Sequence, residues 1–292
     1  MISTRSYEGA ADLRLMQELV AKHWSLGSAL HIGDLAWDRF QHAGREHEWP
    51  TQLWFEGDEV VAWGWLRLPS DLSYFVSPAR PELLTSVVDW FGERAEGDAL
   101  TVTVVGDEPE LAARGYEPVT GEPTMIYFER SLAALPHIDL PSGFVLRHVA
   151  GLQDVAARVA VHRAAFSAYG PSRVTEESYL AVMAAWPYRA DLDWVVETPD
   201  RTFASFCLGW LDEANRVVEL EPVGTHQDWR RRGLGRSACL AVMRAAADLG
   251  AERAVVYGVE LDGLSTGPAL YRSLSFRAYA ELRSFAKSRD RR

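Results

Sequence analysis

The 292-residue chain has only two cysteines, Cys207 and Cys239. Two are too few for a disulfide framework, and neither belongs to a CxxC or Cys/His cluster of metal-ligand spacing, so both read as small core hydrophobes. The eight histidines are scattered, and the closest pair, His42 and His47, lies five apart, a poor spacing for one helical face. No metal is expected. Long apolar runs are missing as well: none approaches the roughly 18 to 20 residues that cross a bilayer. The opening stretch MISTRSYEGAADLRLMQEL has early acids and no apolar segment of the signal-peptide kind. Positive charge is short too, with 30 Lys and Arg against 41 Asp and Glu, a formal net charge of −11. That balance argues against general nucleic-acid binding, which relies on many cations to neutralise phosphates. The expectation is a soluble, cytoplasmic protein without nucleic-acid or membrane partners.

The chain does have the composition of an ordinary folded protein, with 48% hydrophobic and 24% charged residues. Its length is about twice a usual domain of roughly 150 residues, which predicts two domains. Charge divides unevenly between them. Residues 1–135 hold 10 Lys and Arg and 22 Asp and Glu, a balance of −12, while residues 136–292 hold 20 and 19, a balance of +1. The second half can accept a polyanionic ligand; the first discourages one.

Ser131 to Gly143, with prolines at 136 and 141 and no sustained period, suits a connection, and we take 136–143 as a linker between domains 1–135 and 144–292. Upstream, the apolar spacing of 10–24 predicts a helix, followed by a loop-rich region. Two alternating strands then meet at Gly57-Asp58, and a third strand, LSYFVSP, follows. A helix from Pro81, the strand ALTVTVV, a short helix ended by Gly115 and the strand PTMIYFERS complete the half. The second half repeats the order: helices at 154–166 and 175–186, the latter opened by Thr175 and Ser178, and three strands over 193–225. A long helix from Gly233 to Leu249, the strand RAVVYGV, the short helix GPALYRSL and a closing strand follow. The fold class is α/β (α+β), one fold twice, although residue identities have drifted too far to count as a repeat.

The most informative segment is Glu219 to Gly250: a strand, a turn with two glycines, and a helix. Gly233 and Gly235 let the backbone approach a ligand, and N–H groups and dipole at a helix N-terminus favour an anion. Arg230, Arg231, Arg232 and Arg236 surround the turn with cations suited to phosphate oxygens. Taken alone, the pattern also fits a tight turn before a solvated helix start.

The pattern R-x-x-G-x-G at Arg230 to Gly235, five residues beyond Val223-Gly224-Thr225, resembles the coenzyme A signature of the GCN5-related N-acetyltransferases (GNAT). LYRSLSF, Leu270 to Phe276, resembles the family's later A-x-x-L-Y-x-x-x-G-F element. The double layout and the string EPVGTHQDWRRRGLGR look most like tandem GNAT proteins, mycothiol synthase among them. The resemblance implies two GNAT folds, each a mixed, mostly antiparallel sheet flanked by helices. It also implies that Val223, Gly224 and Thr225 offer backbone groups to a pantetheine arm, and that Arg230, Arg231, Arg232, Gly233, Leu234, Gly235 and Arg236 hold a pyrophosphate. Glu219 matches the family's carboxylate base, Glu221 shares its face if no bulge intervenes, and Tyr271 matches the tyrosine that returns a proton to the leaving thiolate. Two positions depart from the pattern: Ser275 stands where the family has Gly, and the family's Asn is not recognisable in LDGLSTGP. The first half lacks the signature, with Arg80 its only nearby cation, though Gly115-Tyr116 echoes the G-F element.

The resemblance thus implies an acetyl-CoA-dependent N-acyltransferase in which residues 144–292 are catalytic. The amine of a small molecule would attack the thioester directly, since neither cysteine has an adjacent His to make it a nucleophile. The acid of the first half points to a cationic acceptor, although solubility explains the same charge. The alternative is a non-catalytic acyl-CoA sensor or assembly module, and the chain would be a monomer or homodimer. Trp49, Trp54, Trp63 and Trp65 read as core, Trp186 to Arg189 as a helix terminator or acceptor-pocket wall, and KSRDRR as a solvated tail.

Overall fold

Apolar periodicity sets two cycles of elements along the chain, seen here in a computed structural model that describes residues 1–289 apart from 29, 43, 107, 122 and 261–265. The first cycle runs β1 (Ile2–Ser6), α1 (Ala10–His23), α2 (Ile32–Phe40), β2 (Thr51–Glu56), β3 (Glu59–Arg67), β4 (Asp71–Val76), α3 (Leu83–Arg94), β5 (Ala99–Val105), α4 (Pro109–Ala113), β6 (Glu117–Pro118) and β7 (Thr124–Ser131). The second runs β8 (Val145–His148), α5 (Val155–Phe166), α6 (Glu176–Ala184), β9 (Asp193–Glu197), β10 (Phe203–Asp212), β11 (Val217–Thr225), α7 (Leu234–Asp248), β12 (Arg253–Glu260), α8 (Thr266–Ser273) and β13 (Arg277–Ser288). Apart from the two-residue β6, each element of one cycle has its counterpart in the other. The sequence pattern anticipates most of them; it misses β1, β6, β8 and α2, the last hidden in what reads as a loop-rich region.

Local chemistry explains the ends. Thr175 and Ser178 exchange capping bonds at the start of α6, with Ser178 N–H donating to Thr175 Oγ1 at 3.1 Å and Thr175 N–H to Ser178 Oγ at 2.8 Å. Helix α7 closes at Gly250, whose φ of 99° lets Ala251 N–H reach back to Ala246 O at 2.9 Å. Its apolar stripe, including Ala238, Val242 and Met243, is fully buried over β9–β11. Helix α3 buries Val87 and Phe91 over β3–β5 in the same way. At about 1.5 to 3 kcal/mol for each large apolar side chain, these faces dominate the stability of both cycles.

All but one short strand lie in one path, in the order β1-β2-β3-β4-β5-β13-β7-β12-β11-β10-β9-β8, with β6 pairing on β13. The pairs β4/β5 and β11/β12 are parallel and the others antiparallel. At the centre the cycles interlock. The last strand of the chain, β13, lies between β5 and β7, and β7 in turn pairs with β12. Each cycle therefore completes its part of the sheet with the other's final strand. Residues 136–143 carry no regular structure and strap across α7, where Arg244 Nη2 donates to Pro136 O at 2.7 Å and Ser237 Oγ to Asp139 O at 2.9 Å. No described helix is long and apolar enough to cross a membrane.

Candidate active site

A parallel pair that stops pairing leaves a wedge, and the sheet has two. Strands β11 and β12 are in register only from Val217↔Arg253 to Glu219↔Val255, and β4 and β5 only at Asp71↔Thr101 and Leu72↔Val102. Beyond these points the strands diverge, freeing backbone groups that a ligand can use.

At the mouth of the β11/β12 wedge sits the start of α7. Gly233 occupies the left-handed region at φ 80° with open space around it, and Arg231 is left-handed at 64°. The first helical bond is donated by Ser237 N–H to Gly233 O at 3.0 Å, so the N–H groups of Leu234, Gly235 and Arg236 have no intrahelical acceptor. A Cβ on Gly235 would stand 2.9 Å from Thr225 Oγ1, and one on Gly224 2.5 Å from Phe206, so both positions require glycine. The four arginines divide their labour. Arg230 is a brace, its guanidinium donating to Ala165 O at 2.7 Å and Thr225 O at 3.3 Å. Exposed Arg232 stacks over Trp229 at 4.8 Å, exposed Arg231 faces outwards, and Arg236 keeps a buried Nη1 without a hydrogen-bond partner. Arg232, Gly233 and Arg236 line a hollow of about 360 Å³ bounded by Asp139 and Pro141 of the strap. An unpaired cation, free N–H groups and a side-chain-free approach fit a pyrophosphate.

Inside the wedge, the structure brings Glu219 and Glu221 to one group of acids. A register slip between Cys207↔Val223 and Gly209↔Leu220 puts a bulge at Glu221-Pro222, beyond Glu219, and Trp210 Nε1 donates to Glu221 O at 2.6 Å. Both carboxyls meet residues from α2, the helix missed from sequence. Gly33 lets this helix close onto the sheet: a Cβ there would collide with Trp210 and stand 2.7 Å from Glu219 Oε2. His31 caps α2, its Nδ1 accepting from Gly33 N–H at 3.1 Å while its own N–H donates to Asp34 Oδ2 at 2.8 Å. Glu219 Oε2 lies 3.2 Å from the same His31 Nδ1, whose lone pair is already engaged, and is left without a hydrogen-bond partner.

Glu219 is 1% exposed. Burial pushes its carboxyl up to about 8, the charge of Asp38 adding to the effect and bonds from Asp34 opposing it. Burial, then the charge on Glu219, raises Asp34 well above the ordinary carboxylate range. Two carboxyls in one dry site resist ionising together, so Asp34 and Glu219 hold their protons more tightly than ordinary carboxyls do. Burial pulls His31 down to about 4, so it stays neutral beside them. Glu221, half-buried, is raised by burial and by Glu219, Asp34 and Asp38, and is hydrogen-bonded to the Tyr257 hydroxyl.

Tyr271 stands on α8 against β12, where its ring would be 3.1 Å from a Cβ on Gly258, and packs on Phe128 and Phe276. Burial holds its phenol far above the usual value, hence protonated. Ser275 takes the Gly-like turn its position requires, at φ 64°, as Gly115 does at 80° in the first cycle. Phe276 N–H and Tyr116 N–H close the two turns, onto Tyr271 O at 3.1 Å and Leu111 O at 3.0 Å. Most of the loop LDGLSTGP lies outside the described residues. The four clustered tryptophans are buried, and Trp186 is 40% exposed beneath the Arg14 guanidinium at 3.3 Å.

A cavity of about 980 Å³ joins this centre to the other wedge, passing from Tyr74 over Thr103 and Ser284 to Met125, Tyr127, Tyr257 and Asp34. Sequence reasoning missed its inner wall, yet a signal was present: Ile32, Leu35, Ala36 and Arg39 recur at helical spacing and are all buried. Among the described residues, no group of three or more His, Cys, Asp or Glu is placed to hold a metal ion.

Residues 159–276 match the sequence model of the Acetyltransferase (GNAT) family. No curated protein matches the sequence. Among solved structures, a tandem GNAT protein from the clavulanic acid biosynthesis pathway aligns with 99% of this chain and 98% of its own, at 14% identity and a TM-score of 0.66. A GCN5-related N-acetyltransferase from Sphaerobacter thermophilus aligns with 98% of this chain and 95% of its own, at 18% identity and a TM-score of 0.62. A GNAT-family acetyltransferase from Colwellia psychrerythraea gives 97%, 99%, 11% and 0.62 for the same measures. At these identities the solved structures speak for the fold alone. Residues 159–276 thus carry the sequence signature of the GNAT family, and the chain as a whole shares the fold of a tandem GNAT protein.

Proposed function

We propose that this protein transfers an acetyl group from acetyl-CoA to a primary amine of a small molecule, with residues 144–292 supplying the coenzyme site. The match of residues 159–276 to the GNAT family model supports acyl-CoA-dependent acyl transfer in general. The observation that carries the finer reading is the start of α7, where unbonded N–H groups, left-handed Gly233 and the unpaired Arg236 Nη1 converge beside the wedge. When bound, the coenzyme supplies an activated thioester as acyl donor. Leu234, Gly235 and Arg236 would hold its pyrophosphate, with Arg231 and Arg232 at the rim and Arg230 fixing the loop. The wedge backbone at Val223, Gly224 and Thr225 would orient the pantetheine arm and offer an N–H to the carbonyl oxygen.

Glu221 is our candidate base. Glu219 is fully buried and already engaged with Asp34, while half-buried Glu221 reaches the cavity side through Tyr257. A carboxyl raised above its ordinary range takes a proton from an amine better than an ordinary one. Tyr271, held protonated, would donate to the departing sulfur. Calorimetry with acetyl-CoA tests the site: one mole per mole of wild type is expected, and affinity should fall by about 100-fold or more in Gly233→Glu. Thiol release with a panel of amines tests the chemistry; Glu221→Gln and Tyr271→Phe should each lower turnover by about 10²-fold or more. A wild type that binds no acetyl-CoA overturns the proposal.

A further inference from the structure

The 980 Å³ cavity is larger than the proton-transfer centre needs. It follows one face of the sheet across β5, β13, β7 and β12, as the in-register rows Val105↔Leu282↔Met125 and Tyr127↔Tyr257 show. Three strand spacings make this about 15 Å from the first wedge to Tyr257. We infer that the cavity is the acceptor chamber and that the acceptor is an elongated amine with a second cationic group, a diamine or polyamine. The assignment rests on the preceding reading that Glu221 receives the proton.

The first wedge cannot take a second coenzyme. Where α7 offers glycines and cations, the segment before α3 offers Arg80, Pro81 and Glu82, with Glu82 at the cap position and no capping bond. An acid at that place repels phosphate. The chamber's acids lie at both ends: Asp34, Asp38 and Asp71 inside, Glu82, Glu108 and Glu110 at the outer mouth. Arg67, the one lining cation among the described residues, is already paired with Asp38 and lies 3.8 Å from Asp71. At the mouth, Glu82 faces Arg80 at 3.4 Å and Glu110 faces Arg114 at 3.0 Å. Half-buried Glu108 has no cationic partner among the described residues. Between the ends, Tyr74, Met125 and Leu282 provide an apolar floor for a methylene stem. A dication meets a carboxylate at each end and apolar wall between; a monocation leaves the outer acid unpaired.

Equilibrium titration of the full chain, without coenzyme, should show linear diamines binding tighter than n-alkylamines of matched length by about tenfold or more, with the longer spacers favoured. The preference should weaken with salt and collapse in Glu108→Gln. Equal affinities for diamine and monoamine, or a preference untouched by Glu108→Gln, would overturn the chamber. The two proposals fail separately. Acetyl-CoA binding without diamine preference removes the chamber and leaves the coenzyme site; diamine preference without acetyl-CoA binding overturns the transferase and with it the chamber's role as acceptor site.

Discussion

Two wedges of one design have been given opposite chemistry. In the second cycle the helix after the wedge begins on glycines among four arginines; in the first it begins on a proline and a glutamate. The strands splay in both, so the void comes from the fold, while the ligand class comes from about six residues at a helix start. A wedge whose helix start carries a glutamate and no glycine need not close, and here it remains open, acid-lined and continuous with Asp34 and Tyr257 of the second wedge.

The largest expected difference between the cycles lies under the long helices. Gly64-Trp65-Leu66 on β3 and Gly209-Trp210-Leu211 on β10 occupy corresponding places, each tryptophan buried. A Cβ on Gly209 would collide with Val242 of α7, whereas one on Gly64 would stand 3.0 Å from the Trp90 ring of α3. Gly209→Ala should therefore destabilise the protein by about 3 kcal/mol and Gly64→Ala by about 1 kcal/mol in denaturant titration. Equal losses would mean the two helices sit equally close to the sheet.

Next comes the pH response, which belongs to the second wedge. Glu219 is raised in the folded state to about 8, so its contribution is complete below its ordinary value and lost as pH climbs towards 8. His31, lowered to about 4, acts oppositely, losing its contribution as pH falls from 6.5 to 4. Between pH 6.5 and 8 the Glu219 effect stands without that opposition and alone lowers stability by roughly 2 kcal/mol, with the raised carboxyls of Asp34 and Glu221 acting in the same direction. Glu219→Gln should make that slope shallower; a slope unchanged in this variant would place the titrating group elsewhere. The smallest effect compares the two left-handed turns. Ser275→Gly should stabilise by about 0.5 kcal/mol and Gly115→Ala destabilise by about 1 kcal/mol in thermal melts, since only glycine adopts φ above 60° without strain.

Much of this was legible in the sequence, because it was written in local terms. Periodicity marks α7 and the strand pairs, and Gly233 with Gly235 marks the glycine turn that opens α7. Ser275 announces a left-handed residue by standing where glycine is needed. The partners of Glu219 were not legible. His31 and Asp34 lie almost 190 residues away in sequence, and their relevance arises only when Gly33 lets α2 rest on Trp210. Arg230 shows the converse: residue type suggests a phosphate ligand, and geometry commits its guanidinium to two carbonyls. A long-range contact between ordinary residue types leaves no pattern in the chain.

The placement of β13 between β5 and β7 also orders events in time. During synthesis the first cycle emerges complete in helices and strands but without the strand that should lie beside β5, because β13 is made after every other strand of the sheet. Until then β5 and β7 present open edges, the hazard that invites pairing with other chains. The finished sheet is therefore closed by the twelve residues of β13, Arg277 to Ser288, and a nascent chain stalled just short of them exposes both edges at once.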